Sequence, residues 1–181
     1  MAGLYIHIPF CKQACHYCDF HFSTNLQSMP SVMESMILEL ELRQNYLNGE
    51  AVDTIYFGGG TPSLVPTEYL EKILDAVARL FPGKKQEVTL EANPDDLNPI
   101  ALAIWKSLGI DRLSLGIQSF QDQILKTYNR AHNSDEAKQS IQLARAAGFE
   151  KFSIDLIYGY PHTDHRLWHL DLEEALRLDP G

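Results

Sequence analysis

The chain has 181 residues, 45% of them hydrophobic and 10% aromatic, enough to bury a sizeable core as one domain and inconsistent with a disordered chain. Its 15 Lys and Arg against 24 Asp and Glu give a formal charge of −9, and no basic run is present, which argues against a general nucleic-acid role. The apolar runs are too short for a membrane span and no signal peptide or lipidation signal is visible, so a reducing cytoplasm is the expected location.

In chain order, residues 4–8 read as a first strand, short and rich in Ile, Leu and Tyr. All three cysteines follow it at once, as Cys11, Cys15 and Cys18. An odd count in a chain of this length does not suit a disulfide framework, and inert buried thiols would scatter along the sequence. The spacing looks like a three-thiolate metal site. A [4Fe–4S] cube held by three thiolates leaves one iron open for a ligand that undergoes chemistry. Structural zinc, with His16 or His21 as fourth ligand, is the alternative at this point.

Met33, Met36, Ile37, Leu40 and Leu47 then form a helical stripe, which Ser31 and Glu34 resemble a capping box for. Residues 54–57 read as a second strand, ending in Gly58-Gly59-Gly60-Thr61-Pro62. That run lacks the Lys-Ser/Thr of a phosphate loop and the pattern of a dinucleotide site, and a tight turn is its simplest reading. It also bares backbone N–H and C=O groups that a small zwitterion, such as an amino-acid moiety, can approach, with the Thr61 hydroxyl beside them. Leu70, Ile73, Leu74, Val77 and Leu80 give a second helical stripe.

Residues 87–91 form the third expected strand, closing on Glu91, and Asn98-Pro99 places a capping side chain before a proline at the first helical position. Residues 112–115 form the fourth, followed by Gln118, and residues 152–158 the fifth, containing Asp155. Gly49, Gly109 and Gly148 follow helices, where a left-handed residue is wanted. A last helical segment covers residues 164–178.

Strand and helix thus alternate five times, which demands right-handed crossovers and a parallel sheet, either open and doubly wound or a whole or partial barrel. The cysteine loop, the glycine run, Glu91 and Gln118 all fall at carboxyl ends of strands, the edge where parallel α/β folds bind ligands. Only Asp155 is expected inside a strand.

Taken with Gly116-Ile117-Gln118-Ser119-Phe120, Arg130-Ala131-His132 and Asp155-Leu156-Ile157-Tyr158-Gly159, the cysteine spacing and Gly-Gly-Gly-Thr-Pro resemble the radical S-adenosylmethionine (SAM) superfamily. More narrowly they resemble the oxygen-independent coproporphyrinogen III oxidase family and its haem-chaperone branch, HemW. The resemblance runs from Tyr5 to Pro180. It implies a partial (βα)6 barrel, truncated after about five βα units plus a helix, with residues 1–181 as an amino-terminal radical SAM core. Cys11, Cys15 and Cys18 would hold a [4Fe–4S] cluster, the amino and carboxylate groups of SAM would chelate the fourth iron, and reductive cleavage of the sulfonium would release a 5′-deoxyadenosyl radical. Such a cluster lies toward the low-potential end of its range.

Position by position, Tyr5 matches a residue beside the cluster-bound SAM, and Tyr17 an aromatic that stacks on adenine. Gly59, Gly60 and Thr61 would line the methionine end. Glu91 would bond ribose hydroxyls or the amino group, or else merely cap the helix after Asn98. Gln118, Arg130 and Asp155 match further SAM contacts. Arg130 could grip a carboxylate in a bidentate fork, or Arg130 and Asp155 could form a structural salt bridge between neighbouring βα units.

The decarboxylating branch carries a further cysteine where this chain has Phe20, and Tyr160-Pro161-His162-Thr163-Asp164 departs from the family's Leu-Pro-x-Gln-Thr. Asp164 can still cap the last helix. The expected partners are SAM, haem or a porphyrinogen, and a reductant such as a flavodoxin or ferredoxin, with haem contacts in a carboxyl-terminal region. His162, His165 and His169 read as solvated surface residues and His132 as structural.

Overall fold

In the computed structural model, which describes residues 2–160 and 165–180, five parallel strands form one sheet: β1 (Ala2–Ile8), β2 (Val52–Gly59), β3 (Glu87–Ala92), β4 (Arg112–Gln118) and β5 (Lys151–Leu156). Six α-helices intervene or follow: α1 (Met29–Leu42), α2 (Thr67–Leu80), α3 (Pro99–Ser107), α4 (Asp122–Thr127), α5 (Ser134–Ala146) and α6 (Arg166–Leu178). The strand order is β1-β2-β3-β4-β5. A doubly wound sheet must reverse its order to move helices to the second face, so this unbroken order is that of a barrel arc that does not close.

Register gives the arc two unlike faces. Ile6 lies opposite Phe57, Phe57 opposite Leu90, Leu90 opposite Leu113 and Leu113 opposite Phe152, and all five are buried in the core. On the alternate residues Tyr5 pairs with Tyr56, Tyr56 with Thr89, Thr89 with Arg112 and Glu91 with Ser114. One face is therefore oily and roofed by helices, while the other is a polar concave surface. On that surface Arg112 Nη2 donates to Ser153 Oγ at 3.3 Å, and Ser153 Oγ to Ser114 Oγ at 3.3 Å.

Local chemistry sets the boundaries. Asn98 caps α3, its Oδ1 accepting from the Ile100 and Ala101 amides at 3.1 and 2.9 Å. Gly49, Gly109 and Gly148 adopt φ of +85°, +86° and +78°. The capping box expected at Ser31 and Glu34 is absent, because Pro30 sits in the first turn and starts α1 earlier, with Ser28 at the N-cap. Ser31 instead donates to the Ser28 carbonyl at 2.9 Å. Leu47 lies beyond the end of α1 in the turns that follow, yet still packs on the core. β5 ends at Leu156, short of residue 158, which brings Asp155 to the carboxyl edge with the other site residues. His165 and His169 are exposed, the former as the residue before α6. His162 and Asp164 lie outside the described residues.

Candidate functional site

At the carboxyl edge of the sheet a cavity of about 210 Å³ is lined by Cys11, Cys15, Cys18, Tyr17, Gly59, Gly60, Thr61, Glu91, Gln118, Arg130 and Asp155. Residues drawn from five separate βα units thus meet in one place. Tyr5 is the exception. It stands 60% exposed on the concave face, stacked on Tyr56 with ring centroids 5.8 Å apart, and lines a different groove at the free edge of β1.

The cysteine loop is closed at its base and braced along its length. Cys11 N donates to Ser23 O at 3.1 Å and Ser23 N to Pro9 O at 2.9 Å. Lys12 bridges Asp95 and Asp96, the former at 2.8 Å. The end of α4 takes the other side of the loop: His16 N donates to Tyr128 O at 3.1 Å, and Asn129 Nδ2 to Ala14 O at 2.8 Å. These bonds fix the loop backbone before any ligand arrives, so its ordering entropy is met by the fold. The three thiols are free and half-buried. Burial pushes the Cys11 thiol up, opposed by a hydrogen bond with Thr61. Among the described residues no group of three or more His, Cys, Asp or Glu is gathered to hold a single metal ion. His16 Nδ1 donates to Thr127 O at 2.9 Å, which ties the ring to the end of α4.

The glycine run serves this loop. Gly60 N donates to Ile8 O and Thr61 N to Phe10 O, both at 2.7 Å, and a Cβ on Gly60 would lie 2.5 Å from Phe10 O. Gly59, at φ +112°, donates its N–H to Glu91 Oε2 at 3.1 Å. The amides expected to be free for a ligand are thus already engaged. Close backbone packing, invisible in the residue pattern, uses them first, and carbonyl oxygens are what the turn has left to offer.

Glu91 does not cap α3. Its other oxygen accepts from Tyr56 OH at 2.8 Å. Burial pushes the Glu91 carboxyl up, opposed by the bonds from Tyr56 and Gly59, with Asp155 adding to the rise. Asp155 is also raised by partial burial, opposed by Arg112 and Arg130. Two carboxylates facing one cavity favour a cationic guest.

Arg130 crosses the cavity. Its Nη2 donates to Asn93 Oδ1 and Gly116 O, both at 2.8 Å, while Nη1 reaches Tyr17 OH at 3.1 Å and Cys15 Sγ at 3.4 Å. No ion pair joins Arg130 to Asp155 among the described residues, so the structural salt bridge weighed from sequence is not formed. The Arg130 Nε is buried without a partner. The residue as a whole lines the cavity, where a guanidinium can pair with a carboxylate. Free thiols, a carboxylate-binding cation and a pair of raised carboxyls together suit a sulfur-ligated cluster with an amino acid bound to it.

Gln118 ends β4 at φ +66°, where the pairing with β5 shifts register. A non-glycine residue held left-handed at a bulge is strained, and such bulges re-aim a side chain. His132 is 3% exposed and donates through Nε2–H to Ile117 O at 3.0 Å, which makes it structural. Burial and the neighbouring Arg130 lower its pKa to about 4, so it is neutral at physiological pH. Three residues of the surroundings escaped the sequence: Asn93, Tyr128 and Asp171. Asn93 alone carried a signal, its place just past the end of β3.

The radical SAM superfamily model matches residues 5–172. The chain is similar to the haem chaperone HemW of Bacillus subtilis, 40% identical over 183 residues, covering 99% of this chain and 48% of that protein. HemW of Escherichia coli is 37% identical, covering 98% and 48%. The chain therefore spans about half the length of the curated relatives it matches. Among solved structures, coproporphyrinogen III oxidase (HemN) from Escherichia coli, described as a radical SAM enzyme, superposes with a TM-score of 0.87 at 25% identity, covering 98% of this chain and 42% of that one. No helix among the described residues is long and apolar enough to cross a membrane. A family defined by a [4Fe–4S] cluster and SAM accounts for the thiol loop, the barrel arc and the cavity at its carboxyl edge, and the chain belongs to the radical SAM superfamily.

Proposed function

We propose that the chain is the SAM-binding core of a haem-handling protein of the HemW kind, working in the cytoplasm and reduced by a flavodoxin- or ferredoxin-like donor. The observation that carries this reading is the meeting of three free thiols with Arg130, Glu91, Gln118 and Asp155 around one cavity. Cys11, Cys15 and Cys18 would hold the cluster as thiolates. When bound, the cluster supplies a low-potential electron to the SAM sulfonium. The protein's own part is positioning: Arg130 pairs with the methionine carboxylate, the carbonyls of the glycine run and the raised carboxyls accept from the ammonium and ribose hydroxyls, and Tyr17 covers the adenine.

The alternative reading is oxidative decarboxylation of coproporphyrinogen III. Phe20 at the position of the oxidase's further cysteine, together with the HemW relatives, favours haem handling. The test is anaerobic reconstitution with iron and sulfide, then electron paramagnetic resonance of the dithionite-reduced protein with and without SAM. A cubane signal that SAM reshapes supports the reading, and its absence in this chain and in a longer one overturns it. A haem-dependent absorbance shift without turnover then selects the carrier, whereas deoxyadenosine formation coupled to porphyrinogen loss selects the oxidase.

A further inference from the structure

Asp171 of α6 is completely buried, at 0% exposure. It is not left as a lone charge. Its Oδ2 accepts from Ser119 Oγ at 2.6 Å and from Tyr160 OH, and its Oδ1 accepts from Phe120 N at 2.8 Å and Gln121 Nε2 at 3.2 Å. A buried carboxylate is costly unless its lone pairs are filled, and four donors fill them here. Three of the four donors are the consecutive residues Ser119, Phe120 and Gln121. They form the turn that leaves β4 immediately after Gln118.

Gln118 needs such a hold. Its left-handed backbone is an unfavourable conformation for a residue with a side chain, and it persists only where surrounding contacts determine it. The β4–β5 register shifts between Leu115 and Gln118, and beyond the shift Gln118 pairs with Leu156 and its carbonyl accepts from Ile157 N at 2.9 Å. On its carboxyl-terminal side Ser119 N turns back to Ile117 O at 2.8 Å, and Ser119 Oγ, Phe120 N and Gln121 Nε2 are tied to Asp171. Among the described residues, no other side chain bonds both Ser119 and Phe120.

We infer that Asp171 is a positioning residue for SAM: by gripping the Ser119–Gln121 turn it holds Gln118 in the left-handed conformation that points its amide at the cavity. This rests on the radical SAM reading of the site. The carboxylate is not among the residues lining the cavity and acts through Gln118, which is. A role in stability alone would lower the melting temperature and leave ligand affinity in step with the folded fraction. A positioning role lowers the affinity of fully folded protein, and does so only while Gln118 is present.

The test is equilibrium dialysis of SAM against the anaerobically reconstituted protein for the wild type, D171N, Q118A and the double variant, at a temperature where circular dichroism shows each to be folded. D171N is expected to weaken SAM about tenfold in the wild-type background and less than twofold in Q118A, because residues acting as one unit are non-additive. An equal loss in both backgrounds, or no loss at all, overturns the inference. Should D171N fail to fold, S119A removes one donor while keeping the carboxylate, and the same non-additivity with Q118A is required of it. Failure of the wild type itself to bind SAM sinks the radical SAM reading and the inference with it, whereas wild-type binding with additive variants sinks the inference alone.

Discussion

Gly60→Ala is the substitution whose cost the structure defines best. The new Cβ would lie 2.5 Å from Phe10 O and 2.9 Å from Ile8 O and Phe10 N, all backbone atoms that cannot rotate away. To reach ordinary van der Waals distance the two chains must separate by about 0.9 Å, overpacking that costs on the order of 1–3 kcal/mol. That movement lengthens Gly60 N to Ile8 O and Thr61 N to Phe10 O, each 2.7 Å, and weakening both bonds adds about 1 kcal/mol. The sum is about 3 kcal/mol, or about 6–12 °C in Tm for a chain of this size. Because Phe10 precedes Cys11, the displacement also moves the first thiol and should reduce iron incorporated on anaerobic reconstitution. Gly49→Ala is the control: its φ of +85° is strained by a side chain but nothing lies within 4 Å, so about 1 kcal/mol is lost and iron content stays at the wild-type level. Urea denaturation and iron analysis of both variants decide the matter. A G60A protein with the wild-type midpoint and full iron would refute the argument that this glycine is required by the cysteine loop.

Replacing Cys11, Cys15 or Cys18 singly by Ser should abolish the reduced cluster signal while leaving far-UV circular dichroism unchanged, since the loop backbone is braced by Lys12, His16 and Asn129 whatever the thiols do; a variant that keeps a wild-type signal would remove that cysteine from the ligand set. Glu91 and Asp155 have pKa values raised in the folded chain, so each holds its proton more tightly folded than unfolded, and their contribution to stability falls as pH rises from the ordinary carboxylate value through the raised one. A cationic ligand lowers both again, so SAM binding in that window should release protons, read as a buffer-dependent enthalpy in titration calorimetry and lost in the E91Q/D155N double variant. Asn98→Ala should cost about 1 kcal/mol by uncapping α3 and leave iron and SAM binding unchanged, measured by urea midpoint and dialysis.

Much of this architecture is legible in the residues because it is local. Alternation of Ile6, Phe57, Leu90 and Leu113 with Tyr5, Tyr56, Glu91 and Ser114 announces a sheet with two unlike faces, and Asn98-Pro99 announces a helix start. The cysteine spacing and the strand-end positions of Gly59, Glu91 and Gln118 place the cavity. What escapes is long-range. Nothing around Asp171 distinguishes it from a solvated helix carboxylate until α6 folds back on the turn after Gln118, some fifty residues away in sequence. Pro30 overrode the pattern at Ser31 and Glu34, and the glycine amides were spent on backbone neighbours that no local pattern reveals. Tyr5, matched by family position, stands on the concave face at the sheet's free edge, stacked on Tyr56.

The engagement of every amide from Gly59 to Thr61 has a consequence for selectivity. A glycine-rich strand-to-helix turn with free N–H groups is an anion trap and would welcome the phosphates of ATP. Here those donors face inward to Glu91, Ile8 and Phe10, and the turn meets its guest with oxygen atoms and a neighbouring pair of carboxyls. On the SAM reading of the site, the same adenosine framework would be sorted by the charge at its far end, with a triphosphate disfavoured and a sulfonium carrying an ammonium group favoured.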